Sequence, residues 1–171
     1  MAEELNAIGT ESGWVKITAV VDSGAGDNVL PQKELPFIPL APTARSKAGR
    51  GFCGPSGEPI KNFGQKRVDV RTTEGQARAT TWQVANVRRP LMSVSKMTKA
   101  GNDVRFNDKT PHIHNLKTGE KTVMRKEGNI FVVDLWVRLP RTPGIDTTNG
   151  PVRMEIDHVA ASKPGFTRQA P

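Results

Sequence analysis

The rhythm of apolar and polar positions changes several times along the chain, and each change marks an element. From Trp14 to Val21 the residues become steadily more β-branched and apolar, as a strand does on entering a core. That run stops at Asp22-Ser-Gly-Ala-Gly-Asp-Asn28, a cluster of turn formers, before apolar residues return at Val29 and Leu30. A buried strand therefore delivers an acidic residue to a tight turn. Residues 31–45 are rich in proline and short apolar stretches, a surface connection with room for one strand. Arg50 to Gly57, followed by Glu58 to Phe63, reads as a glycine-rich hairpin with a mobile tip. Gln65 to Thr72 and Ala79 to Val87 alternate on either side of a Glu74-Gly75 turn and predict a second hairpin.

Leu91 to Ala100 is the best helix candidate. Leu91, Val94 and Met97 fall at i, i+3 and i+6, and Gly101 is placed as a stop. Short strands are expected at 103–106, 112–115, 122–125 and 129–137, separated by Asn107-Asp108, Thr118-Gly119 and Glu127-Gly128. Residues 1–13 and 138–171 show no sustained period and read as an N-terminal arm and a C-terminal linker around one domain, 14–137. The pattern predicts an all-β domain with one short helix and no internal repeat.

Composition sharpens this picture only in places. The 16 glycines and 13 prolines cut 171 residues into short segments, which favours strands and turns over long helices. A single cysteine, Cys53, excludes an intrachain disulfide and a zinc site built from thiolates. No apolar run approaches the roughly 20 residues of a membrane span, and the first residues lack the regions of a signal peptide. The chain reads as soluble and intracellular, with no membrane partner. The formal charge of +8 is dispersed, not gathered in one run, so nucleic acid is kept only as a subordinate partner.

An aspartate at the end of an apolar strand, followed by a small hydroxyl residue and glycine, suits peptide hydrolysis by a carboxylate pair. The strand fixes Asp22, Ser23 can hydrogen-bond neighbouring backbone and lock the loop, and Gly24 has no Cβ to obstruct a second loop or a substrate. Two carboxylates held a few ångströms apart cannot both ionise and share one proton. One then activates water while the other polarises the scissile carbonyl.

With these residues in place, the stretch 14–137 resembles the retropepsin-like proteases of retroviruses and copia-type retrotransposon polyproteins. Val21 to Ala25 looks like the family's catalytic loop, Pro90 to Phe106 is similar to its following helix and strand, and Gly119 with Arg125 to Asp134 looks like the close of the region. The resemblance implies a closed barrel with a glycine-rich flap hairpin and an aspartic endopeptidase acting on an extended polypeptide. It implies Asp22, Ser23 and Gly24 as catalytic residues, and Ala25, Asp27, Phe52, Gly54, Ser56 and Gly57 as substrate-binding residues. No metal or cofactor is implied. The setting would be intracellular, in the cytoplasm or in a retroelement particle. Gly26 stands where retroviral members carry an acidic residue, and Leu91 to Val94 lacks their Gly-Arg pair, which is coherent with the copia-type variant. One Asp-Ser-Gly with no second lobe requires a homodimer to complete the pair. The hairpin is open to two readings, a flap or an ordinary exposed turn. Two rivals stay beside the enzyme: an inactive dimerisation or peptide-binding module of the same fold, and a basic nucleic-acid-binding β-domain.

Other signals carry less. His112 and His114 alternate but have no cysteine or carboxylate cluster beside them, Cys53 reads as a packing residue, and Trp82 and Trp136 read as core rather than as ligand stackers. Neither a phosphate-binding glycine-lysine loop nor an HExxH site occurs.

Overall fold

A computed structural model describes residues 13–141, so the predicted arm up to residue 12 and the predicted linker from 142 onward lie outside the described residues. The protein is mostly β. Its strands are β1 (Trp14–Asp22), β2 (Val29–Pro31), β3 (Phe52–Cys53), β4 (Pro59–Ile60), β5 (Asn62–Thr72), β6 (Ala77–Ala85), β7 (Leu91–Ser93), β8 (Asn102–Arg105), β9 (His112–Asn115), β10 (Lys121–Val123), β11 (Arg125–Glu127) and β12 (Ile130–Arg138). Two short helices, α1 (Ala44–Lys47) and α2 (Val94–Lys99), interrupt them, one more than the pattern predicts. No helix among the described residues is long and apolar enough to cross a membrane.

The main sheet runs β1-β7-β2-β6-β5-β12-β11, and β1 also pairs with β12. The pairings therefore travel through six strands and return to their start. Two of the junctions, β1 with β7 and β2 with β6, are parallel, and the rest of the cycle is antiparallel. Inside lie Ile17, Ala19 and Val21 of β1, Val68 and Val70 of β5, Trp82 of β6 and Val133, Leu135 and Val137 of β12, each set at the period of two that one buried face demands. Trp82 is 0% exposed, and truncating so large a core side chain costs about 3–5 kcal/mol. A separate three-stranded sheet, β10-β9-β8, packs beside α2.

The proline-rich connection is better ordered than its composition suggests. Leu35 is buried with φ at 50°, in the left-handed region, at a cost of roughly 1–2 kcal/mol for a residue with a Cβ. Burial of its side chain offsets this, and its carbonyl, with that of Glu34, accepts from Lys66 Nζ at 2.8 and 3.0 Å. Burial pushes the Lys66 ammonium below its ordinary pKa, with the charge of Glu34 opposing. At the middle of β12, Asp134 accepts from Thr18 and from two guanidinium nitrogens of Arg125. Burial works to raise that carboxyl, but Arg125, Thr18 and the charge of Lys16 overcome it and hold it below its usual range.

One predicted element changes type. Leu91 to Ser93 form a strand, and the helix occupies only Val94 to Lys99, with Ser93 as its N-cap. The apolar spacing was real, but the first three residues are wanted between β1 and β2, where pairing outweighs helix propensity.

Candidate active site

Strand β1 carries its chain out of the core one residue at a time. Val21 is buried, Asp22 half-buried, and Ser23 and Gly24 exposed. Beside it, β7 runs parallel in the register Val20 to Leu91, Val21 to Met92 and Asp22 to Ser93, while Leu91 also pairs with Val29 of β2. The loop 23–28 must therefore pass over the end of β7 to reach the next strand.

Ser93 anchors that passage. It is 0% exposed; its Oγ donates to the Ala25 carbonyl at 2.6 Å and accepts from Lys96 N at 3.1 Å, and its backbone N–H donates to Asn28 Oδ1 at 2.9 Å. Asn28 is tied onward to β6, donating to the Thr81 carbonyl at 3.2 Å and accepting from Gln83 N at 2.8 Å. The loop is thus held at Ala25 and at Asn28 by buried or half-buried groups. Within it, Gly24 N donates to Asp22 Oδ1 at 2.7 Å, which orients the carboxylate. A Cβ on Gly24 would stand 3.3 Å from that same oxygen, so a larger residue would crowd the carboxylate.

The lock expected from Ser23 is supplied by Ser93 instead. Among the described residues the Ser23 hydroxyl has no hydrogen-bond partner, and it sits exposed next to Asp22. A buried hydroxyl from elsewhere fixes the loop, and the loop's own hydroxyl is free to meet something outside the chain.

Asp27 has two cationic neighbours, Arg45 Nη1 at 3.0 Å and Lys96 Nζ at 3.2 Å. Arg45 reaches further. Its Nη2 donates to the Gly51 carbonyl at 3.0 Å, and its guanidinium lies 4.4 Å from the centre of the Phe52 ring. One side chain from α1 thereby links the Asp22 loop to the base of the hairpin β3–β4. That base is close-packed, since a Cβ on Gly51 would fall 2.0 Å from the Ile60 carbonyl oxygen.

The hairpin pairs Phe52 with Ile60 and Cys53 with Pro59. Gly54 N donates to the Glu58 carbonyl at 2.8 Å, Gly57 N to the Gly54 carbonyl at 2.9 Å, and Ser56 N to Glu58 Oε2 at 2.9 Å. Phe52 and Gly54 are half-buried, Ser56 and Gly57 exposed. The structure thus brings Asp22, Ser23, Gly24, Ala25 and Asp27 together on one loop. It joins Phe52 to them through Arg45, and carries Gly54, Ser56 and Gly57 out on the turn. Neither Arg45 nor Ser93 was singled out from sequence. Arg45 is one charge in an irregular stretch, and Ser93 lies inside what reads as a helix.

A cavity of about 290 Å³ adjoins this loop, lined among others by Asp27, Asn28, Arg78, Met97, Asn115 and Thr122. It does not include Asp22. Among the described residues no three His, Cys, Asp or Glu side chains are grouped as a metal would need. His112 bonds locally, its Nδ1 2.7 Å from the Thr110 carbonyl, and its ring lies edge-on to His114. Trp136, expected in the core, stands on the outward parity of β12 and is only half-buried. Comparison with protein-family models, curated proteins and solved structures gives no match to this chain.

Proposed function

We propose that this chain is a retropepsin-like aspartic endopeptidase that processes a retroelement polyprotein and works as a homodimer, each subunit supplying Asp22. The observation that carries the reading is the Asp22 loop. A half-buried carboxylate stands at the end of a core strand, held by Gly24 N, on a loop pinned beneath by Ser93 and presenting Ser23 and Gly24 to the outside. The Ala25 carbonyl is fastened to buried Ser93, and Ser23 and Gly24 are the exposed residues that a second copy would meet. The cyclic pairing of six strands is read as the closed barrel, and the β3–β4 hairpin as its flap.

In the dimer, the two Asp22 carboxylates share one proton. The ionised member takes a proton from water as the oxygen attacks the scissile carbonyl, and the protonated member donates to the carbonyl oxygen to give a gem-diol; as the C–N bond breaks, the first member passes its proton to the leaving amine and the second takes one back from a diol hydroxyl. The Ser23 hydroxyl meets the opposite loop across the two-fold axis. Arg45 holds the hairpin base at a set distance from the loop, so that the hairpin covers an extended peptide laid over both carboxylates.

A peptide library incubated at mildly acidic pH with the parent and with Asp22→Asn tests this. Cleavage by the parent alone is expected; equal products from both would remove Asp22 from the chemistry. A second reading, the same fold kept as a peptide-binding module, is favoured by the position of the 290 Å³ cavity, which adjoins Asp27 and not Asp22. Peptide binding without cleavage by either protein would select it.

A further inference from the structure

Two of the three tryptophans lie outside the core. Trp14 opens β1, Trp136 stands near the end of β12, and both are half-buried. The register brings cations to them from three strands: Trp14 is opposite Arg138, and Trp136 lies between Lys16 of β1 and Arg71 of β5. Lys16 Nζ is 5.8 Å from the Trp136 ring, and the Arg71 and Arg138 guanidinium groups are 5.7 and 5.2 Å from the Trp14 ring. Between the indoles is an open cleft of about 210 Å³, lined by Trp14, Arg71, Thr72, Gly75 and Trp136.

No carboxylate lines this cleft. Glu74, beside it in the turn, is directed away and accepts from Val123 N at 2.9 Å. Asp134, on the same outer face of β12, is hydrogen-bonded by Arg125 and Thr18, and the charge of Lys16 acts on it more weakly. Asp69, two positions from Arg71, is the nearest exposed acid on β5. Flat apolar walls ringed by cations match a ligand with planar rings and regularly spaced negative charge.

We propose that the Trp14–Trp136 cleft binds single-stranded nucleic acid, with a base seated against the indoles and the flanking phosphates on Lys16, Arg71 and Arg138. Single strands expose base faces that a duplex keeps stacked, and aromatic side chains take those faces without regard to sequence. The phosphates release counterions to the three cations, so binding weakens with salt. Dispersed basic charge alone does not distinguish such a site from a solvated surface, whereas the two outward indoles and the cations over them locate one. The site is independent of Asp22 and stands or falls without the protease reading.

The test is anisotropy of a labelled, unstructured 12-nucleotide RNA titrated with the full chain across a salt series, with tryptophan fluorescence read in parallel. For three phosphate contacts the slope of log affinity against log salt is expected near about −2. Lys16→Glu with Arg71→Glu should weaken binding at least about tenfold. Lys109→Glu with Lys117→Glu, the same charge change at exposed positions elsewhere, should change it less than about twofold. Trp14→Leu should weaken it by about five- to a hundredfold, the range for one lost base stack. Lys16→Gln with Arg71→Gln repeats the test if the reversed pair fails to fold. Equal losses from both lysine-arginine and control pairs, equal binding of a 12-base-pair duplex, or unquenched tryptophan emission on saturation would each overturn the proposal, as would displacement of the RNA by anionic lipid vesicles in preference to competing single strands.

Discussion

The loop 22–28 and the hairpin 51–60 are both built from turn residues, yet they are held in opposite ways. The loop is fastened from below. Ser93 holds it at two points, its Oγ donating to the Ala25 carbonyl at 2.6 Å and its N–H to Asn28 Oδ1 at 2.9 Å, and Ser93 belongs to a strand inside the main sheet. The hairpin satisfies its own tip, using the Glu58 carbonyl and carboxylate. It meets the loop through one half-exposed arginine. In the proposed protease, a carboxylate that must keep its position within a fraction of an ångström would sit on the first kind of support, and a flap that opens and closes on the second.

Breaking this contrast at different points should produce graded effects. Asp22→Asn removes the proposed acid-base group and keeps an oxygen for Gly24 N. Peptide cleavage should fall by on the order of a hundred- to ten-thousandfold, with the thermal midpoint unchanged in a melting experiment. Ser93→Ala attacks the support instead. It leaves the Ala25 carbonyl without its donor and uncaps α2, so urea unfolding should show a loss of about 2–3 kcal/mol, with activity reduced alongside.

A residue remote from both turns sharpens the comparison by leaving it alone. Asp134→Asn should cost about 1 kcal/mol near neutral pH and leave cleavage intact. Because the folded carboxyl of Asp134 lies below its unfolded value, its stabilisation is present above the unfolded pKa of roughly 4 and is lost as pH falls through the folded one. Denaturant midpoints followed from neutral to acidic pH should therefore converge for parent and variant at the acid end. Arg45→Met is the mildest change. Its ion pair with Asp27 is about 40% exposed on the arginine side, so stability should shift by less than about 1 kcal/mol. Loosening the hairpin base should instead appear in steady-state kinetics as a several-fold rise in KM with kcat little changed.

Much of this organisation was legible in local pattern. The apolar run into Asp22 and the alternation of the β5–β6 hairpin both mark strands, though β5 begins at Asn62, three residues before the predicted Gln65, and β6 spans Ala77–Ala85 where the pattern predicts 79–87. Strand β7 was not legible, because three residues carry no period and Leu91, Val94 and Met97 mimic a helix face. Its strand character comes from the gap between β1 and β2, which exists only after long-range closure. Ser93 and Arg45 were missed for the same reason, since their partners are 68 and 18 positions away. Trp136 was different. Val133, Leu135 and Val137 already claim one face of β12, and parity alone would have sent the tryptophan outward.

Asp22 is proposed to act with its own symmetry mate, and subunit mixing decides whether it does. Parent chain is mixed with an equal amount of Asp22→Asn, the pair is allowed to re-equilibrate, and cleavage is measured against the same total of parent in the absence of the variant. If one carboxylate per dimer is insufficient, random pairing leaves parent homodimers as about one quarter of all dimers. Activity per parent chain should then fall to about one half. Activity per parent chain that stays constant through the mixing would show each Asp22 working alone and contradict the account.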